Sequence, residues 1–341
     1  MIDELRSVRD VWRKLPSEAD ARQFLEALIW PTGRHCPHCG GLRSTELCGG
    51  SHRPGLYQCR EPECRRQFTV TTKTPMHATK LELRVWIAAM FLVLTSSKGI
   101  SSVVMARILG VSQPTAWKMG HAIRTLMEDR EGLFGKLDGV VEVDEAYVGG
   151  APKFKQGVRH RPGRGTPKPM VLVAASRGGQ ARAAVVSNGR GATFQPLMEA
   201  WIEPSAILLT DGNRAYNKPA SAFAAHLKVN HGTKQYAIPN AGVHINTVEA
   251  VASQIQRALV GVYHRLDRPH LQRYLDEVLW RRNHRVSDTK VRQRRRRSGG
   301  VSCRATKVWK PIPVLSQMRG LLCCAVGRCV RRTKQWGLEW Q

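Results

Sequence analysis

The chain has 341 residues, 42% hydrophobic and 23% charged, and its 54 Lys and Arg against 26 Asp and Glu give a formal charge of +28. That composition excludes a wholly disordered chain and leaves room for two or three domains at the usual ~100–200 residues each. No apolar run nears the ~20 residues that span a bilayer, and the charged start MIDELRSVRD has no apolar core like that of an export signal, so the excess charge points to nucleic acid rather than to a membrane.

Residues 1–30 read as two helical pieces. Asp3 can cap the first, where Val8, Val11, Trp12 and Leu15 recur at helical spacing; the second, 19–30, ends before Pro31. Residues 31–72 are short, β-like and cysteine-bearing. Cys36-Pro37-His38-Cys39 is followed, after nineteen residues, by Cys59-Arg60-Glu61-Pro62-Glu63-Cys64. Two such knuckles on hairpin turns bring four thiolates to one tetrahedral Zn²⁺, with Phe68 placed to cover the site. A full set of four ligands leaves no open position, so the metal would be structural. The competing reading is a coincidence of reduced thiols, since the nine cysteines are an odd number in a chain without an export signal. Cys48 reads as a spare thiol, and Cys303, Cys323, Cys324 and Cys329 fall in the tail.

Residues 80–127 look helical, with breaks at 96–99 and 110–111. Gly110-Val111-Ser112 makes a turn, Ser112 is a good N-cap and Pro114 fits a first turn. Helix, short Gly-containing turn, helix is a helix-turn-helix pattern whose second helix would present Gln113, Thr115, Lys118 and Arg124 to DNA. Two packed helices with no such role share the pattern.

From 139 to 260, extended runs at 140–147, 169–176, 181–187, 206–210 and 227–230 alternate with helical runs at 192–202, 214–225 and 247–262. This alternation predicts a mixed α/β sheet. Residues 151–168 read as a basic, Gly- and Pro-rich loop, with Arg161, Arg164 and Lys168 as phosphate contacts. From Val286 onward the chain holds 14 basic and two acidic residues, including the run Arg294–Arg297, with little periodicity.

In so basic a chain, acids inside apolar runs stand out. Val140-Val141-Glu142-Val143-Asp144-Glu145 carries carboxylates at its centre. Ala206-Ile207-Leu208-Leu209-Thr210-Asp211 ends in one, and Glu249 opens a later helix close after Asn246. Each acid alone reads as a turn, surface or helix-dipole residue. Together, at one end of a sheet, Asp144, Asp211 and Glu249 could hold two Mg²⁺ or Mn²⁺ ions for phosphoryl transfer.

These stretches resemble bacterial insertion-sequence DDE transposases with an N-terminal zinc ribbon and an ISXO-type catalytic domain. The matching residues are CPHCG (36–40), RRQFTVTTKTPMH (65–77), VEVDEAYVGG (141–150), LLTDGNRAY (208–216), HINTVEAVASQIQRALVGVYHRL (244–266) and HLQRYLDEVLWRRN (270–283). The resemblance implies an RNase H-like fold and divides the chain into a helical segment (1–30), a zinc ribbon (31–75), a helix-turn-helix segment (80–128), a DDE catalytic domain (138–285) and a disordered or aberrant basic tail (286–341). It implies Asp144 and Asp211 as the first two catalytic acids, with Glu249 first and Asn246 second for the third place. Arg257 stands beside the position, Gln256, where relatives carry a basic residue. His244, Tyr263 and His264 would lie near the cut strand or pack. A frameshifted or decayed C-terminus would account for the break after Asn283 and would leave this copy inactive. The implied partners are element inverted repeats and target DNA, bound by a homo-oligomer in the cytoplasm on the nucleoid, with no membrane. A zinc-ribbon regulator without catalysis and an RNase H-like nuclease are the alternatives.

Overall fold

The computed structural model describes residues 4–129, 132, 135–150, 156, 166–229, 237–238, 243–264, 266–295, 301–323, 325–328, 330–332 and 338–340. The chain divides into two units: residues 1–96, 102–126 and 284–341, and residues 97–101 and 127–283.

The first unit opens with α1 (Val8–Lys14) and α2 (Glu18–Ile29). Both begin with a capping box. Ser7 Oγ accepts the Asp10 N–H at 3.2 Å while Asp10 accepts the Ser7 N–H at 3.0 Å, and Ser17 and Asp20 repeat the arrangement. The first cap is therefore Ser7; Asp3 lies outside the described residues. Three short strands follow, β1 (Ser44–Glu46), β2 (Tyr57–Cys59) and β3 (Gln67–Phe68), paired antiparallel in that order. Then come α3 (Leu83–Thr95), α4 (Ser102–Leu109) and α5 (Gln113–Leu126). At the α4–α5 turn, Ser112 Oγ accepts the Thr115 N–H at 3.4 Å, and Gln113 Nε2 donates to Ser102 Oγ at 2.8 Å.

The second unit is built on β4 (Val140–Tyr147), β5 (Met170–Ser176), β6 (Ala181–Val186), β7 (Ile207–Asp211) and β8 (Ala225–Val229). Between them lie α6 (Gly191–Trp201), a 3-10 turn (Arg214–Tyr216) and α7 (Asn217–Ala220). The helical run expected over 214–225 thus closes early, and β8 starts at Ala225. The sheet order is β6-β5-β4-β7-β8, with β5 antiparallel to β4 and β6, and with β7 and β8 parallel to β4. This mixed sheet is the RNase H-like arrangement. The period of two along the strands sends alternate residues to two cores. Val141, Val143, Leu172 and Ala174 pack with Phe194, Met198 and Tyr216 on one face. Val171, Val173 and Ala175 pack on the other, against residues of the helices that follow. Those helices come after β9 (Ala237–Ile238) and β10 (Val243–His244): α8 (Asn246–Ala258), continued by a π turn (Leu259–Tyr263), and α9 (Leu271–Asn283).

Edge strand β6 is closed by side chains of α9. Gln272 accepts the Val185 N–H at 3.0 Å and donates to the Ala183 carbonyl at 3.0 Å; Asn283 does the same for the N–H and carbonyl of Ala181, at 2.9 and 3.0 Å. Two amides eleven residues apart thereby satisfy backbone groups that an edge leaves open to another strand.

The tail returns to the first unit. In place of disorder, β11 (Arg285–Arg295) pairs antiparallel with β12 (Val301–Pro311) along their whole lengths, and α10 (Val314–Cys323) packs on α2 and α3. Val286, Thr289, Val291, Thr306, Val308 and Trp309 supply the β-branched and aromatic content that favours extended backbone. Two short strands, β13 (Val330–Arg332) and β14 (Leu338–Trp340), end the described chain.

Candidate active site and metal-binding ribbon

The four ribbon cysteines converge. Their sulfurs lie within 4.8 Å of one another, with Cys36 Sγ 3.8 Å from Cys64 Sγ and Cys39 Sγ 3.7 Å from Cys59 Sγ. A tetrahedral ion with Zn–S near 2.3 Å has sulfur–sulfur edges of about 3.8 Å, so the spacing fits Zn²⁺. Backbone N–H groups of His38 and Gly41 donate to Cys36 and Cys39 sulfur, both at 3.4 Å, as thiolates at knuckles require. Phe68 is buried beside Trp30 and Tyr57, ring centroids 6.1 and 5.7 Å away, so it belongs to an aromatic cluster that roots the ribbon on α2. Tyr57 Oη completes that root by donating to Glu26 at 2.8 Å.

In the second unit the acids gather at the end of the sheet where β7 stops. Val143 pairs in parallel register with Thr210, so Asp144 and Asp211 follow side by side on neighbouring strands. Asp144 is half-buried. Burial first, then the charges of Glu145, Asp211 and Glu249, push its carboxyl up to about 7, against a hydrogen bond from the Glu145 N–H that acts the other way. Glu249 therefore stands near enough to feel Asp144, from the first turn of α8. Asn246 and Glu249 are both exposed. Among the described residues no three carboxylates close within 4.8 Å of one another.

Two further acids of β4, neither given a role by sequence reasoning, tie this end together. Glu145 accepts from Asn213 Nδ2 at 2.9 Å and from Tyr216 Oη, while the Asn213 N–H donates to Asp211 at 3.0 Å. Glu142, on the strand face that carries Asp144, bonds the start of α8 and Arg177. The period-two spacing of Glu142 and Asp144 was the available signal.

The expected DNA contacts divide. Gln113 and Lys118 are exposed on α5 and Thr115 is half-buried, its hydroxyl 2.8 Å from that of Ser112. Arg124 is only 4% exposed. It lies four residues after Gly120 and eight after Ala116, both buried, so the helical repeat turns it inward and removes it from the DNA-facing set. Arg257 is exposed; Lys168 is half-buried along Gly149. Arg161 and Arg164 lie outside the described residues. Tyr263 packs: its hydroxyl donates to Glu277 at 2.9 Å and its ring meets Tyr274 edge-on at 4.5 Å. His264 is exposed, and His244 Nδ1 lies 3.4 Å from Glu142.

Comparison with known proteins agrees with this layout. The family model of the ISXO2-like transposase domain matches residues 136–283, and that of the transposase zinc-ribbon domain matches residues 16–67. No curated protein matches the chain. Among solved structures, the Mos1 strand transfer complex is 12% identical, with a TM-score of 0.20 over 56% of this chain and 74% of that one. The Mos1 transposase paired-end complex with left transposon end is 15% identical, with a TM-score of 0.19 over 57% and 75%.

Proposed function

Because the chain belongs to the insertion-sequence DNA transposases that join a zinc ribbon to an ISXO2-like transposase domain, we propose that Asp144, Asp211 and Glu249 are its catalytic acids, cutting DNA at the element's ends and joining the freed end to target DNA. The observation that carries this reading is the parallel register of β4 and β7, which sets Asp144 and Asp211 side by side at one end of the sheet. Asp144 is half-buried and stands beside Asp211, and burial, then the charges of Glu145, Asp211 and Glu249, raise its carboxyl.

Carboxylates crowded so closely repel one another, and a divalent cation between them relieves that repulsion. Bound there, Mg²⁺ or Mn²⁺ would act as a Lewis acid on the attacking and leaving oxygens of a phosphodiester. The chain's own residues do the positioning. Asp144, beside Asp211 on the neighbouring strand, would be a ligand of the bound metal. Asp211 is held by the turn through Asn213, and Glu145 fastens that turn to β4. Asn246, exposed one turn before Glu249, is second choice for the third place and would otherwise meet substrate.

End recognition is assigned to the ribbon and to α5 through Gln113, Thr115 and Lys118. Lys168 and Arg257 neutralise backbone phosphates near the acids, which adds affinity without sequence choice and makes binding salt-dependent. Bringing two element ends together calls for a homo-oligomer assembled on DNA, acting wherever the element's DNA lies. Among the described residues no helix is long and apolar enough to cross a membrane.

The test is a labelled element-end duplex incubated with the full chain and Mg²⁺ or Mn²⁺. Strand transfer carries the proposal. Cleavage without joining would leave a nuclease, and binding alone would leave a regulator. Asp144→Asn is expected to keep DNA binding and lose cleavage; retained cleavage removes Asp144 from the site.

A further inference from the structure

Glu142 lies two residues before Asp144 on β4, so both side chains stand on one face of the strand. It is 0% exposed, in a ring of donors. The Thr247 and Val248 N–H groups donate to Oε2 at 2.6 and 3.0 Å, and Thr247 Oγ1 and Arg177 Nε donate to Oε1 at 3.0 and 2.8 Å. Those two amides belong to the first turn of α8, which starts at Asn246 behind Ile245, a residue whose side chain cannot cap. Glu142 supplies that acceptor from a strand more than a hundred residues away, and its charge faces the positive end of the helix. Arg177 adds a second tie, donating through Nη2 to the His244 carbonyl at 2.9 Å. The start of α8 is thus fastened to β4 and to the end of β5 at once.

Glu249 is carried by that same first turn. Sliding a helix by one residue moves a side chain ~1.5 Å along the axis and ~100° around it. A shift of that size would take Glu249 away from Asp144. The chemistry of the pocket also selects a carboxylate. Glu142 accepts from the Thr247 and Val248 N–H groups, Thr247 Oγ1 and Arg177 Nε, with His244 Nδ1 3.4 Å away, so a glutamine gives up the charge that faces Arg177 and the helix start, and an aspartate would fall a methylene short.

We propose that Glu142 is a positioning residue that sets the third acid: it fixes the height and rotation of α8 on β4 and acts on the reaction through Glu249. This inference rests on the reading of Asp144, Asp211 and Glu249 as a divalent-cation site.

The experiment is a double-mutant cycle on the full chain, Glu142→Gln with Glu249→Gln, reading Mn²⁺ affinity by calorimetry and end cleavage by single turnover. Each single variant is expected to weaken Mn²⁺ binding about tenfold with zinc content and circular dichroism unchanged, and the double variant to be no weaker than Glu249→Gln alone within about twofold. A merely structural role would add its effect in both backgrounds. Multiplying losses, or a Glu142→Gln protein with undiminished Mn²⁺ affinity, overturns the inference while leaving the catalytic reading in place. A Glu249→Gln protein that binds Mn²⁺ and cleaves like the parent overturns both. Thr247→Val removes one bond and no charge, and serves if Glu142→Gln does not fold: a two- to threefold loss that vanishes beside Glu249→Gln supports the proposal, and a loss that persists there sinks it.

Discussion

Arg328 Nη1 donates to the carbonyl oxygen of Thr125 at 2.6 Å, although 203 residues separate the two. The bond caps the end of α5 with a buried cation from the tail, where a helix leaves carbonyls without intrahelical partners. The Gly327 N–H donates to the Lys73 carbonyl at 2.7 Å, and α10 buries Met318, Leu321 and Leu322 fully. Helix α10 and Arg328 are therefore part of the first unit's core. Met318→Ala should lower stability by about 2–4 kcal/mol, as large-to-small changes at sealed positions do. Urea denaturation is the measurement, and a change below about 0.5 kcal/mol would mean that α10 is not docked.

The ribbon's strands are three, three and two residues long, too short to hold themselves without the ion. Native mass spectrometry should find one zinc per chain in the parent protein and none in Cys36→Ser. Proteolysis of that variant should open between Cys36 and Cys64. Full metal content in Cys36→Ser would break the four-cysteine assignment.

Strands were the most readable part of this chain, and for a physical reason. Val140–Tyr147 follows Gly139, is rich in valine and stops shortly before Gly149-Gly150, so its limits were legible. The acids within it were visible because charge at the centre of an apolar strand is costly unless it has work to do. What charge they met was not visible. Glu142 and Arg177 pair across an antiparallel register, and Glu145 meets Tyr216 seventy-one residues on; no local pattern encodes such meetings. Arg124 misled because its charge said surface while its helical position said core. The tail misled because its arginines mask a β-branched content that only pairing between β11 and β12 brings out. α9 also escaped notice, although Leu271, Leu275, Val278 and Leu279 fall at helical spacing; its run of charges hid the stripe.

Tyr216 is buried and gives its hydroxyl to Glu145, and burial with the neighbouring carboxylate charges raises it above the usual phenol range. Tyr216→Phe should keep the fold, because the ring stacks on Phe194 at 5.3 Å and the phenyl remains. It leaves one Glu145 oxygen without its donor and loosens the Asn213 turn that holds Asp211. Cleavage should fall about tenfold with DNA affinity unchanged, a loss of ~1.4 kcal/mol in the transition state. Single-turnover cleavage beside a binding titration checks it, and equal loss in both would point to general misfolding.

The raised carboxyl of Asp144 makes stability itself depend on pH. In the unfolded chain Asp144 loses its proton near 3.8, and in the folded protein near 7. Between those values the folded state holds a proton that the unfolded state has released, so stability falls as pH rises across that window and levels off above it. The shift corresponds to about 4 kcal/mol lost by pH 8 in buffer free of Mg²⁺ and Mn²⁺. Asp144→Asn removes the titrating group and keeps the shape, so it should match the parent near pH 4 and exceed it at pH 8. Adding Mn²⁺ should restore the parent at pH 8 and leave Asp144→Asn nearly unmoved, because the cation binds the ionised form and pulls the carboxyl down. Urea denaturation at the two pH values, with and without Mn²⁺, reads all four quantities. Parallel curves for parent and variant would mean that burial and the charges of Glu145, Asp211 and Glu249 do not raise the Asp144 carboxyl.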